Sequence, residues 1–217
     1  MSERKRVYVW EVPVRLAHWL LVLSMIAFTV TGLYIGNPYI HAYSSKQFIM
    51  GWMRFIHFVA GYLFLMVIII RIYWSFVGNK YANILGWLPF TGRKMKEIGQ
   101  EIRCYMLLSK KSGCEDYGHT ALGGLVMLLL FFVLLFEVVS GFAMYSLTHT
   151  GAIWTILGGW LLNVMPLPLI KLWHHLLMYA IIVFTIIHVY IATFLNALEG
   201  NGLLESILSG YKYEFDD

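Results

Sequence analysis

The chain has 217 residues, of which 59% are hydrophobic and 13% charged, about half the charged share of a soluble domain. That much apolar surface cannot be hidden inside one water-soluble domain of this size, so the composition specifies a multi-span integral membrane protein. The net charge of +4 reflects basic loops, and nucleic-acid binding is excluded as a function class. The two cysteines, Cys104 and Cys114, form no C-x-x-C pair and no C-x-x-C-H. Covalent c-type haem attachment and cysteine-ligated zinc or iron–sulfur sites are thereby excluded within the chain.

In chain order, Arg4, Lys5 and Arg6 precede an apolar run from Leu16 to Ile35. The pattern imitates a signal peptide, but the run is too long for a cleaved apolar region and reads as a retained first span. Four spans are expected, over residues 15–36, 52–77, 120–147 and 170–197. Each is long enough to cross a bilayer, and each of the first, second and fourth ends in helix-stop residues: Gly36-Asn37-Pro38, Gly78-Asn79 and Gly200-Asn201-Gly202. The expected architecture is all-α, a single membrane domain over residues 1–217 built as a four-helix bundle. The connection over 78–119 carries an alternating charged and apolar segment, 94–111, that reads as an amphipathic helix on the inner face or as a solvated loop helix.

Basic residues orient the spans. Of the 16 lysines and arginines, only Lys46, Arg54 and Lys171 fall on the side opposite the 78–119 loop. The positive-inside rule puts that loop and both termini in the cytoplasm.

Four of the eight histidines, His18, His57, His174 and His188, fall within the spans, where ionisable side chains are rare and functional by default. His174 and His188 are 14 residues apart. At 100° per residue that is about 40° short of four turns, so both share one face of the fourth span, roughly 21 Å apart along the axis. The orientation places His57 and His174 near the outer face and His18 and His188 nearer the cytoplasm. Two histidine pairs at two depths are what two bis-histidine b-type haems need. Arg71 follows His57 by the same 14 residues and reads either as a haem-propionate partner or as an arginine snorkelling to the interface. Gly32, Gly61, Gly123 and Gly141 read equally as places for a porphyrin to approach or as helix-packing positions. His175 points about 100° from His174 and reads as an interface residue or as a neighbour of the outer site, with a swap of ligand roles as a further alternative. Glu137, an acid within the third span, can carry protons, bond a ligand histidine or hydrogen-bond across helices, and the residues alone do not choose. A non-haem anchor or small transporter using the histidines and Glu137 is the rival from another class; a colourless purified protein would favour it.

The chain resembles the b-type cytochrome subunit of membrane-bound nickel–iron hydrogenases. The likeness is carried by Pro13-Val14-Arg15-Leu16-Ala17-His18-Trp19, Thr31-Gly32, Arg54-Phe55-Ile56-His57-Phe58, Arg71-Ile72-Tyr73-Trp74, Gly118-His119, Gly141-Phe142-Ala143-Met144-Tyr145-Ser146, Trp173-His174 and His188-Val189-Tyr190. The resemblance implies haem ligands at His18, His57, His174 and His188. It implies partners as well: a large nickel–iron subunit and a small iron–sulfur subunit outside a bacterial cytoplasmic membrane, and a quinone accepting electrons near the inner face. The chain lacks the cysteines for a nickel–iron site, so it splits no hydrogen itself. Relatives in formate dehydrogenases share the ligand arrangement, and a subunit of a formate dehydrogenase or of another quinone-linked oxidoreductase is the alternative within electron transfer. Those relatives place the quinone at an asparagine opening the third span. Where the hydrogenase pattern is Gly-His-Asn-Pro, this chain has Gly118-His119-Thr120-Ala121, which leaves His119 and Thr120 as the quinone candidates and departs from the pattern at Thr120.

Overall fold

The computed structural model describes residues 4–40, 44, 47–84, 96–99 and 121–215. His119, Thr120, both cysteines and most of the 94–111 segment lie outside the described residues. Of that segment, residues 96–99 are helical.

The elements in order are β1 (Arg4–Tyr8), α1 (Val12–Gly36), α2 (Ile49–Val77), α3 (Ala121–Ser146), α4 (Ala152–Leu157), a 3-10 turn (Gly159–Asn163), α5 (Leu167–Glu199), α6 (Leu203–Ser209) and β2 (Tyr211–Phe215). The four expected spans correspond to α1, α2, α3 and α5, each long and apolar enough to cross a membrane. Two of them open on proline: Pro13 in the first turn of α1 and Pro168 in the first turn of α5. There the missing N–H is no loss, and the ring's fixed φ suits a helix start.

The long helices are inside out relative to a soluble bundle. Leu23, Ile26 and Val30 of α1 and Val183, Ile186 and Val189 of α5 are exposed, while Ser24, Thr31, Ser75 and Ser140 are buried. Exposed aliphatic stripes of this extent are stable only in contact with lipid, where every backbone group must be satisfied within the helix. The buried hydroxyls keep to the same rule. Ser24 donates to the Leu20 carbonyl (2.8 Å), Thr31 to Ala27 (2.6 Å) and Ser75 to Ile72 (2.6 Å).

The described residues form two compact units. One comprises residues up to 16 with 71–133 and 188–217, the other 17–70 with 134–187, so both draw on all four long helices. The first unit contains an element absent from the all-α expectation. β1 and β2 pair antiparallel, with Arg4 opposite Phe215 and Tyr8 opposite Tyr211. The Arg6 guanidinium lies 4.5 Å from the Tyr211 ring centroid, within cation–π range. Below the ribbon, Val9, Trp10, Val14 and Ala82 form a small core. The Glu11 carboxylate, just before α1, accepts from the Trp74 indole N–H and the Asn79 backbone N–H, both at 2.8 Å, and the Asn79 amide donates to the Val9 carbonyl at 3.0 Å. Arg15 donates to the Leu208 carbonyl. The start of α1, the end of α2 and the residues after α5 are thus tied by polar bonds at the ends of the apolar spans. Because β1 precedes the first span and β2 follows the last, their pairing requires an even number of crossings, which four spans supply.

Gly210 makes the ribbon's approach possible. Its φ is +92°, and a Cβ there would stand 2.7 Å from both the Trp10 carbonyl oxygen and Tyr8 Cε2. The Gly210 carbonyl accepts from the backbone N–H of Val9 (2.8 Å) and Trp10 (3.1 Å). Gly210→Ala is expected to cost about 1–2 kcal/mol for the left-handed backbone alone and to loosen the ribbon. Thermal unfolding in detergent, with limited proteolysis of the termini, checks this; an unchanged midpoint and cleavage pattern would contradict it.

Candidate functional site

The second unit holds the best-defined polar cluster within the spans. His57 lies two turns into α2 and His174 two turns into α5, and their ring centroids are 6.5 Å apart with planes inclined at 59°. The structure thus brings the rings of His57 and His174 together. His18 and His188 fall in different units. His18 stands edge-on to Trp19, with centroids 5.4 Å apart. His188 is exposed, as are residues 185–191 around it. Arg71 is half-buried, and its Nη1 is buried with no hydrogen-bond partner among the described residues.

Hydroxyl groups decide which nitrogen of His57 and of His174 carries the proton. Thr31 Oγ1 lies 2.9 Å from His57 Nδ1. The threonine's only proton is already directed to the Ala27 carbonyl at 2.6 Å, so the hydroxyl accepts from Nδ1–H. Ser140 Oγ stands 2.8 Å from His174 Nδ1 and donates its own proton to the Glu137 carbonyl at 3.1 Å. Glu137 Oε2, a second acceptor, is 3.0 Å from the same Nδ1. Both rings are therefore held as the Nδ1–H tautomer, which leaves Nε2 of each with a free lone pair. This is the usual device by which outer-shell bonds orient metal-ligating histidines.

Small residues keep the space around these rings open. Gly32 follows Thr31, and a Cβ on it would come within 3.6 Å of His57 Cε1 and 3.3 Å of Met178 Sδ. Gly141 follows Ser140, and its Cβ would come within 3.8 Å of His174 Cε1. A Cβ on Gly61, one turn beyond His57, would meet no atom within 4 Å. Phe28 walls the other side of His57, with centroids 5.0 Å apart, and packs on Phe64. Each histidine is thus served by a hydroxyl–glycine dipeptide on a neighbouring helix, Thr31-Gly32 on α1 and Ser140-Gly141 on α3. Thr31 and Ser140 were not among the expected site residues. The signal that could have found them is the repetition of that dipeptide in two spans.

The donor set discriminates among metals. Among the described residues no group of three or more His, Cys, Asp or Glu could hold a metal ion. A structural zinc needs four protein donors and a catalytic zinc three. Two neutral imidazoles instead match an iron whose other four positions come from a macrocycle. The 6.5 Å centroid separation leaves room for one metal about 2 Å from a nitrogen of each ring. The residues present therefore fit a b-type haem.

The neighbours divide into roles. The His175 ring is at 80° to that of His174; its Nδ1 donates to the Lys171 carbonyl at 2.7 Å, and its Nε2 would lie 3.2 Å from a Cβ on Gly36. That nitrogen thus sits close against α1. His149 is exposed and stacks on Tyr145, with ring centroids 3.8 Å apart. Tyr145 belongs to an aromatic group with Phe58, Tyr62, Phe142 and Trp154. Part of the 17% aromatic content is thus a packed cluster on α2, α3 and α4.

The family described as prokaryotic cytochrome b561 matches the chain over residues 9–210. A protein of Rhizobium leguminosarum bv. viciae named "Probable Ni/Fe-hydrogenase B-type cytochrome subunit" is 37% identical over 214 residues, covering 96% of this chain and 89% of the relative. A protein of Azotobacter vinelandii with the same name is 35% identical over 223 residues, covering 100% and 92%. A protein of Escherichia coli K12, named as the corresponding subunit of hydrogenase 1, is 36% identical over 220 residues, covering 94% and 90%.

Proposed function

The chain belongs to the prokaryotic cytochrome b561 family, and on that premise we propose that it is the dihaem b-type cytochrome subunit of a nickel–iron hydrogenase, carrying electrons from hydrogen oxidation to membrane quinone. The observation that carries the reading is the shared state of His57 and His174. Each Nδ1–H is anchored on a hydroxyl whose own proton is committed elsewhere, and each Nε2 is left as a ligand nitrogen.

His57 and His174 hold the haem nearer the outer face, and His18 and His188 hold the second. Bound there, the haems supply one-electron carriers whose potentials follow from bis-histidine ligation and a low-dielectric surrounding. The protein's own work is to position and insulate. Thr31 and Ser140 fix the ring orientation, Gly32, Gly61 and Gly141 keep side chains out of the ring space, and Phe28 and Phe64 exclude water beside His57. Arg71 has an unpartnered buried guanidinium nitrogen and serves as a propionate partner for the inner haem. The partners are the small iron–sulfur subunit, which delivers electrons at the outer side, and through it the large nickel–iron subunit. The acceptor quinone sits at His119 and Thr120 near the cytoplasmic face of a bacterial cytoplasmic membrane, with both termini on that face.

Haem content and a redox titration of the purified chain followed by its visible absorption test the proposal. Two b-type haems per chain, reduced in two one-electron steps, are expected. Fewer than two, or a colourless protein, would overturn it.

A further inference from the structure

The two outer histidines are built alike except for one group. On α3 the span ALGGLVMLLLFFVLLFEVVSGFAMYS carries a single charged residue, Glu137. Its side chain is 14% exposed, its Oε2 lies 3.0 Å from His174 Nδ1, and its Oε1 is buried with no hydrogen-bond partner among the described residues. Ser140 already satisfies the Nδ1–H of His174 at 2.8 Å, as Thr31 does for His57. Glu137 is therefore not required to fix the tautomer. What it adds is an anionic acceptor on one axial ligand only.

Resting on the haem-ligand reading above, we propose that Glu137 is a positioning residue that lowers the reduction potential of the iron held by His57 and His174. A carboxylate accepting Nδ1–H draws that proton away from the ring and raises the basicity of Nε2. A more basic ligand, with a negative charge beside it, favours iron(III) over iron(II) in the one-electron couple. The electron for the reduced state comes from the iron–sulfur partner. With haem bound at both sites, the lower potential set at His174 by Glu137 would favour electron flow away from this site, and the asymmetry would give the chain a direction.

The test is an equilibrium redox titration, read by the visible bands, of the purified chain and its variants. Glu137→Gln keeps the size and one acceptor oxygen but removes the charge. It is expected to retain both haems and to raise one midpoint by about 59 mV, a tenfold change in the oxidised-to-reduced ratio, leaving the other midpoint in place. Ser140→Ala, which leaves the carboxylate as the acceptor, is expected not to raise that midpoint. An unchanged or lowered midpoint in Glu137→Gln with both haems bound overturns the proposal. If Glu137→Gln loses a haem, Glu137→Asp decides: recovery of the haem at the native midpoint upholds the role of charge, and failure to recover it overturns the proposal. His174→Ala separates the two levels. If that variant keeps both haems, it is the ligand assignment that has failed.

Discussion

His174→Ala protein is expected to purify with one haem b per chain in place of two, and His57→Ala with the same one. The two ring centroids lie 6.5 Å apart on different helices, so on the proposed assignment either substitution removes half of one axial pair. The remaining imidazole keeps its hydroxyl anchor, but a single axial bond does not hold a non-covalent haem through purification. The double variant His57→Ala/His174→Ala is therefore expected to lose no more haem than either single one, because residues that act as a unit are not additive. His18→Ala and His188→Ala are expected to remove the other haem. Haem per chain and the number of redox steps measure all of these. Equal loss of both haems in every variant would contradict the assignment of ligands to separate pairs.

Thr31→Val is the second large effect. Valine has the shape of threonine without the hydroxyl, and Thr31 is the Nδ1 acceptor of His57. Removing it strands a ring N–H in an apolar surrounding, which costs about 1–3 kcal/mol and unlocks both tautomer and orientation. Loss of such an outer-shell partner typically weakens metal affinity 10- to 100-fold, and haem retention is expected to fall by about that factor. Ser140→Ala is expected to do less, because Glu137 still accepts from His174 Nδ1. Combining Ser140→Ala with Glu137→Ala should bring His174 to the state of His57 in Thr31→Val. The rate of haem transfer to an apoprotein acceptor ranks the variants. Equal rates for Thr31→Val and Ser140→Ala would contradict the asymmetry between the two anchors.

These effects fall on residues with different visibility in the sequence. The spans were legible because lipid imposes a length and a composition that no other environment requires. The His57–His174 pair was legible because a helix converts sequence position into depth, and span order into alternating direction. Thr31 and Ser140 were not, because a hydroxyl within an apolar helix ordinarily bonds its own backbone; both do so here, and their second bonds appear only once a ring from another helix is beside them. Glu137 left three readings open in sequence, and its 3.0 Å approach to His174 shows a bond across helices to that histidine. The terminal ribbon was hidden for another reason. Strands of five residues at opposite ends of the chain carry no local signal of each other, and Arg4, Lys5 and Arg6 read first as an orientation signal.

That ribbon has a bearing on how the protein is made. β1 is available before the first span is inserted, but the edge it offers has no partner until α5 has crossed and β2 has followed it. Contacts so distant in the chain form late. A chain that skips or misorients one span leaves β1 and β2 on opposite sides of the bilayer, with the strand edges open and the small core of Val9, Trp10, Val14 and Ala82 without its cover. Closure of the ribbon is therefore possible only in a chain whose spans have crossed an even number of times.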